Sequence, residues 1–142
     1  MHHRIRVKSL DKRFKHLEKP LREIALGVFR FMRLKKTSFL DVYLINSRRM
    51  AVLNHKYRGK GVPTDVLSVE YPSSFPQTEQ IRVLGEIYLS PTYLRNNKSY
   101  SLDLALIHGT LHLLGFNHRK KSDKMEMEKL EKEILRWLKR TF

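Results

Sequence analysis

Ile5 and Val7 flank Arg6, and this alternation predicts a short first strand. Pro20 opens a helix along which Leu21, Ile24, Ala25, Val28, Phe31 and Met32 recur at helical spacing. Phe39 to Ile45 is rich in aromatic and β-branched residues and reads as a strand. Ser47 is placed to cap the next helix, with Met50, Leu53 and Tyr57 on its apolar face. The segment Arg58-Gly59-Lys60-Gly61-Val62-Pro63 is a loop by its glycines and proline. Val66 to Tyr71 and Ile81 to Leu89 are two more strands, joined by the Pro/Ser/Gln stretch from Pro72 to Gln80, and Pro91 restarts helix. Ser101 precedes a strongly apolar segment, Leu102 to Leu114, expected to be a helix buried on nearly all sides and stopped by Gly115. Ser122 caps a last amphipathic helix carrying Leu130, Ile134, Trp137 and Leu138 on its apolar stripe.

Strands and helices are mixed without strict alternation, which predicts an α+β fold: a small sheet of about four strands covered by helices. The pattern leaves strand order open. No internal repeat or Gly/Ser linker divides the 142 residues, so residues 1–142 are expected to form one domain. Ile24 to Phe29, the longest apolar run near the N-terminus, is far short of the roughly 20 residues that span a bilayer. No apolar secretory region follows Met1, so the expectation is a cytosolic protein. His2 and His3 are set aside as resembling tag remnants.

Composition sharpens this picture in two ways. With no cysteine, disulfide frameworks, thiolate catalysis and cysteine-based zinc ribbons are excluded. The net charge is +15, and it is uneven: residues 1–60 hold 17 basic and 4 acidic side chains, residues 61–142 hold 12 and 10. Such a broad positive face favours polyanions, nucleic acid before a membrane surface, because Lys and Arg displace counterions from phosphate backbones.

The candidate chemistry lies in His108-Gly-Thr-Leu-His112-Leu-Leu-Gly-Phe-Asn-His118. His108 and His112 are four apart and share a helix face, Gly115 lets the chain leave the helix sharply, and His118 returns from the loop. Three imidazoles on one metal leave a fourth tetrahedral position for water, the arrangement of catalytic zinc, so His108, His112 and His118 are the candidate zinc ligands. The spacing matches the metzincin zinc-protease motif, but Gly109 stands where those proteases carry the glutamate base, which argues against proteolysis.

This histidine block resembles the H-G-x-L-H-L-x-G-[YF]-D-H signature of the YbeY family of rRNA maturation endoribonucleases. Leu53-Asn54-His55-Lys56-Tyr57-Arg58-Gly59-Lys60 with Pro63-Thr64-Asp65-Val66-Leu67-Ser68 is similar to that family's L-N-x-x-Y-R…T-D-V-L-S-F stretch. Leu84-Gly85-Glu86-Ile87-Tyr88-Leu89-Ser90 is similar to its G-D-I-x-I-S strand. The resemblance implies a single-strand-specific, zinc-dependent endoribonuclease that matures the 3′ end of small-subunit rRNA and serves ribosome quality control. It further implies one zinc per chain on His108, His112 and His118, and Arg58 and His108 as catalytic residues, with Arg58 also contacting substrate. Its partners would be single-stranded rRNA and the small ribosomal subunit. Two positions depart from the family: Asn117 replaces Asp before the third histidine, and Glu86 replaces Asp in the strand motif.

Arg58 suits developing negative charge on a phosphodiester, because guanidinium is a forked and permanent donor, and a glycine-flanked loop would let it engage substrate. Asp65 fits equally a partner for a ligand imidazole and the turn before a strand. Asp103 sits about 140° around the helix from His108 and is not expected to touch it. Met125 and Met127 read as core packing rather than a Met-turn. Water attack giving a 5′-phosphate is the expected chemistry. Two other readings stay open: a non-catalytic, zinc-containing rRNA-binding assembly factor, and a zinc hydrolase for another substrate.

Overall fold

The computed structural model describes residues 2–72, 77–96, 101–117 and 119–141. Four strands, β1 (Arg4–Ser9), β2 (Thr37–Leu44), β3 (Val66–Glu70) and β4 (Ile81–Leu89), form one sheet in the order β1-β2-β4-β3. β1, β2 and β4 run parallel, and β3 pairs antiparallel with β4. The α+β expectation and the count of strands hold. The extra residue in β4 is Leu84: Phe39 pairs with Val83, whereas Leu40 pairs with Gly85.

Among the described residues there are five α-helices: α1 (Glu18–Phe31), α2 (Ser47–Arg58), α3 (Pro91–Asn96), α4 (Leu102–Leu113) and α5 (Lys121–Thr141). α1 and α4 lie on one face, where Leu40, Val42, Leu44, Ile87 and Leu89 meet Leu21, Ala25, Phe29, Ala105 and Leu106. α5 packs on the far side of these two helices, through Met127, Ile134 and Leu138 against Val28, Ile107 and Leu111. α4 is thus the middle layer between sheet and α5, which is why it is apolar around nearly its whole circumference. α2 covers part of the opposite sheet face with Met50 and Leu53 against Ile45, Leu67, Tyr43 and Tyr88. Among the described residues no helix is long and apolar enough to cross a membrane.

Several local expectations shift. Asn46, rather than Ser47, caps α2, its Oδ1 accepting from Arg49 N at 2.8 Å. Tyr57 is exposed; the inward line of α2 runs through Met50 and Asn54, whose Nδ2 donates to Val62 O at 2.8 Å and ties down the following loop. Ser122 falls inside α5, which starts at Lys121. Met127 is core, as expected, whereas Met125 is exposed. A 3-10 turn at Lys12–Leu17, held by Asp11 at its start, had no sequence expectation. His3 belongs to the fold: its Nδ1 accepts from Ser38 N at 3.0 Å and its ring meets Phe29 edge-on.

Candidate active site

Ser101 starts α4 by accepting from Leu104 N through its Oγ, at 3.1 Å. The helix ends where Gly115 takes φ 106°, with Gly115 N donating to His112 O and Phe116 N to Leu111 O, both at 3.0 Å. This paired closure turns the chain out of the helix directly beneath His112.

The i, i+4 expectation holds for the first two histidines. His108 and His112 stand one turn apart, with their Nε2 atoms 3.0 Å from each other and their rings nearly perpendicular. Two nitrogens bound to one tetrahedral zinc at about 2.0–2.1 Å would lie about 3.3 Å apart, so the donor pair fits a shared divalent cation. His112 also lies in the last turn of α4, where the partial negative charge of the helix C-terminus favours a cation. His118, the expected third ligand, lies outside the described residues. Among the described residues no three His, Cys, Asp or Glu side chains gather at one point.

On the other side of His108, its Nδ1 meets a carboxylate oxygen of Glu131, which α5 delivers into the interior. Glu131 was not anticipated. The signal was present: it sits four residues after Met127 and three before Ile134, on the buried stripe of α5 where a charged side chain needs a partner.

His112 opens onto a cavity of about 590 Å³ lined also by Arg58, Ser68, Glu70, Phe116, Asn117 and Arg119. Arg58 is not in a loop as expected. It is the last residue of α2, because the helix continues up to left-handed Gly59, and its Nη2 approaches Val66 O at 3.5 Å. Arg119, Glu70 and Ser68 are further cavity residues that the sequence did not single out. Asn117 uses its Oδ1 to accept from Arg119 N at 3.3 Å. Of the two readings of Asp65, the local one is found: its Oδ1 accepts from Val66 N at 2.8 Å and Thr64 Oγ1 at 3.1 Å, fixing the turn into β3.

Gly109 has a packing reason. A Cβ there would stand 3.0 Å from Ser68 Oγ and Val66 Cγ2 and 3.3 Å from Ile87 Cδ1. Position 109 faces the sheet rather than the cavity, so the protease's glutamate has no room here.

The family model described as endoribonuclease YbeY matches residues 4–139. The endoribonuclease YbeY of Thermodesulfovibrio yellowstonii is 35% identical over 146 aligned positions, covering 96% of this chain and 91% of that one. Its counterpart in Pseudoalteromonas translucida is 37% identical over 105 residues, covering 69% of this chain and 68% of the relative. The solution structure of TM1509 from Thermotoga maritima superimposes with a TM-score of 0.57 at 27% identity, over 96% of this chain and 93% of that one. Matched along nearly its whole length by one family model and by a curated relative of the same name, the chain belongs to the endoribonuclease YbeY family.

Proposed function

We propose that residues 1–142 act as one metal-dependent endoribonuclease that cuts single-stranded RNA, in maturation of the small-subunit rRNA 3′ end and in ribosome quality control, in the cytoplasm. The observation that supports this reading most is the approach of His108 Nε2 and His112 Nε2 to 3.0 Å beside a cavity walled by Arg58 and Arg119. In the proposal His108, His112 and His118 hold one zinc, and the basic walls receive the RNA backbone. Zinc, when bound, lowers the pKa of a coordinated water towards about 7 and so supplies hydroxide at neutral pH.

The chain's own residues do the rest. The guanidinium of Arg58 reaches the cavity from the end of α2 and donates to the phosphoryl oxygens as negative charge builds on them. Arg119 sets the neighbouring phosphate, and exposed Phe116 offers a ring on which a single-stranded base can stack. Glu70 is the carboxylate among these cavity residues, and its oxygens are the acceptors there for a proton from the attacking water. Attack by water forms the new P–O bond and breaks the P–O3′ bond, leaving a 5′-phosphate on the downstream fragment and a 3′-hydroxyl, protonated from solvent, on the upstream one.

The deciding experiment compares the parent with His112→Ala on a labelled single-stranded rRNA 3′-end fragment, both proteins reloaded with equimolar zinc and assayed for bound metal. Cleavage by the parent, lost in a folded His112→Ala protein, is the expected result; a 2′,3′-cyclic phosphate at the cut would overturn water attack. Asn117 favours one competing reading, a non-catalytic assembly factor, because an amide cannot pass protons as the family's aspartate can. Firm RNA binding by a zinc-loaded parent without any cleavage would establish that reading instead.

A further inference from the structure

α5 reads from sequence as an ordinary packing helix, yet one residue of its buried stripe is a carboxylate. Glu131 is 5% exposed, between Met127 at 2% and Ile134 at 0%. A carboxylate in such surroundings is strongly unfavourable unless a donor meets it. The partner that meets it is His108 Nδ1, 23 residues earlier in the chain and on a different helix.

Where a Glu131 oxygen is the acceptor of this contact, Nδ1 of His108 carries the hydrogen. Its other nitrogen, Nε2, then carries no hydrogen, and Nε2 is the atom that faces His112. Contact at Nδ1 also fixes the rotation of the ring, and the His108 side chain is 23% exposed.

We propose that Glu131 is a positioning residue: from α5 it selects the Nδ1–H tautomer of His108 and aims Nε2 at the point shared with His112, so that α5 forms a second wall of the metal site. This rests on the reading of His108 and His112 as metal ligands. A partner of this kind typically changes metal affinity about 10- to 100-fold. The same contact serving the core alone would change melting temperature and leave both tautomer and metal affinity where they were.

The test uses the full chain and two readouts independent of cleavage. Long-range 1H–15N correlation on the zinc-free, 15N-labelled protein in mildly alkaline buffer reports the tautomer of His108. Competition with a chromophoric chelator reports zinc affinity. The parent is expected to show Nδ1–H. Glu131→Leu is expected to lose that preference and bind zinc about 10- to 100-fold more weakly. Glu131→Gln keeps an acceptor oxygen without the charge, so it should retain the tautomer and fall between the two in affinity. An Nε2–H tautomer in the parent overturns the proposal, as does a Glu131→Leu protein that keeps both Nδ1–H and the parent's zinc affinity; the tautomer of the parent decides even where Glu131→Leu fails to fold. A parent that binds no zinc would remove the metal reading together with this inference, whereas equal binding by parent and variants removes the inference alone.

Discussion

Ser68 Oγ donates to Gly109 O across 3.2 Å, and a side chain at 109 would arrive 3.0 Å from that same oxygen. The contact locks α4, the helix bearing both histidines, onto β3 at the position of His108's immediate neighbour. Gly109→Ala gains up to about 1 kcal/mol in helix propensity. It also forces a methyl group against Val66 and Ile87, two β-branched side chains with little rotameric freedom, at a cost of about 1–3 kcal/mol. The expected net is a loss of about 1 kcal/mol in urea unfolding, with weaker zinc binding as α4 lifts from the sheet. Unchanged or increased stability would show that the helix–sheet spacing has slack.

Much of this arrangement was legible in local patterns. The bounds Ile81–Leu89 of β4 coincide with expectation because apolar and β-branched residues are bracketed by turn formers. The helical face of His108 and His112 follows from their spacing. Strand order was not legible, since placing β4 between β2 and β3 depends on contacts distant in sequence. Arg58 was misplaced because Gly59 and Gly61 suggested a loop, whereas a glycine also marks where a helix ends, with the preceding residue still inside it. Glu131 was hidden for another reason: on an amphipathic helix a glutamate is ordinarily solvated, and only its position between Met127 and Ile134 betrays that this one points inward.

Asp103 in the first turn of α4 has its carboxyl raised above the ordinary value by burial, with Lys139 acting in the opposite direction. The native state therefore keeps this proton to higher pH than the unfolded chain does. The contribution of Asp103 to stability is most favourable below the ordinary aspartate value and is lost as pH rises through the raised one. Asp103→Asn should accordingly be more stable than the parent at neutral pH, with the gap closing in acid. Urea midpoints across that range measure it; a gap that widens on acidification would contradict the burial argument.

The charge asymmetry of the chain makes salt a direct probe of RNA contact. Single-stranded RNA binding should weaken linearly on a log–log plot against salt, with a slope of about −0.7 for each phosphate engaged. Removing Arg119, which lines the His112 cavity, should make that slope shallower by about 0.7 if it holds one phosphate. Lys12, on the 3-10 turn outside the cavity residues, serves as the control, and Lys12→Ala should leave the slope as it was. Fluorescence anisotropy on a catalytically silent substrate gives both numbers, and equal slopes for all three proteins would move RNA binding away from this cavity.

Arg58 separates binding from chemistry. It is exposed at the end of α2, so Arg58→Ala should leave the fold and zinc content intact. An arginine that meets charge only as it develops on the phosphate lowers the barrier without holding the substrate more tightly, so its loss should appear in kcat rather than KM. Donors of this type are worth about 10²–10³-fold in rate. Arg58→Lys restores the charge but not the fork, and should recover only part of that loss. Single-turnover cleavage of the rRNA fragment, with zinc content matched across the three proteins, distinguishes the cases. A rise in KM at constant kcat would make Arg58 a substrate anchor instead, and an unchanged rate would leave its approach to Val66 O as a structural tie at the end of α2.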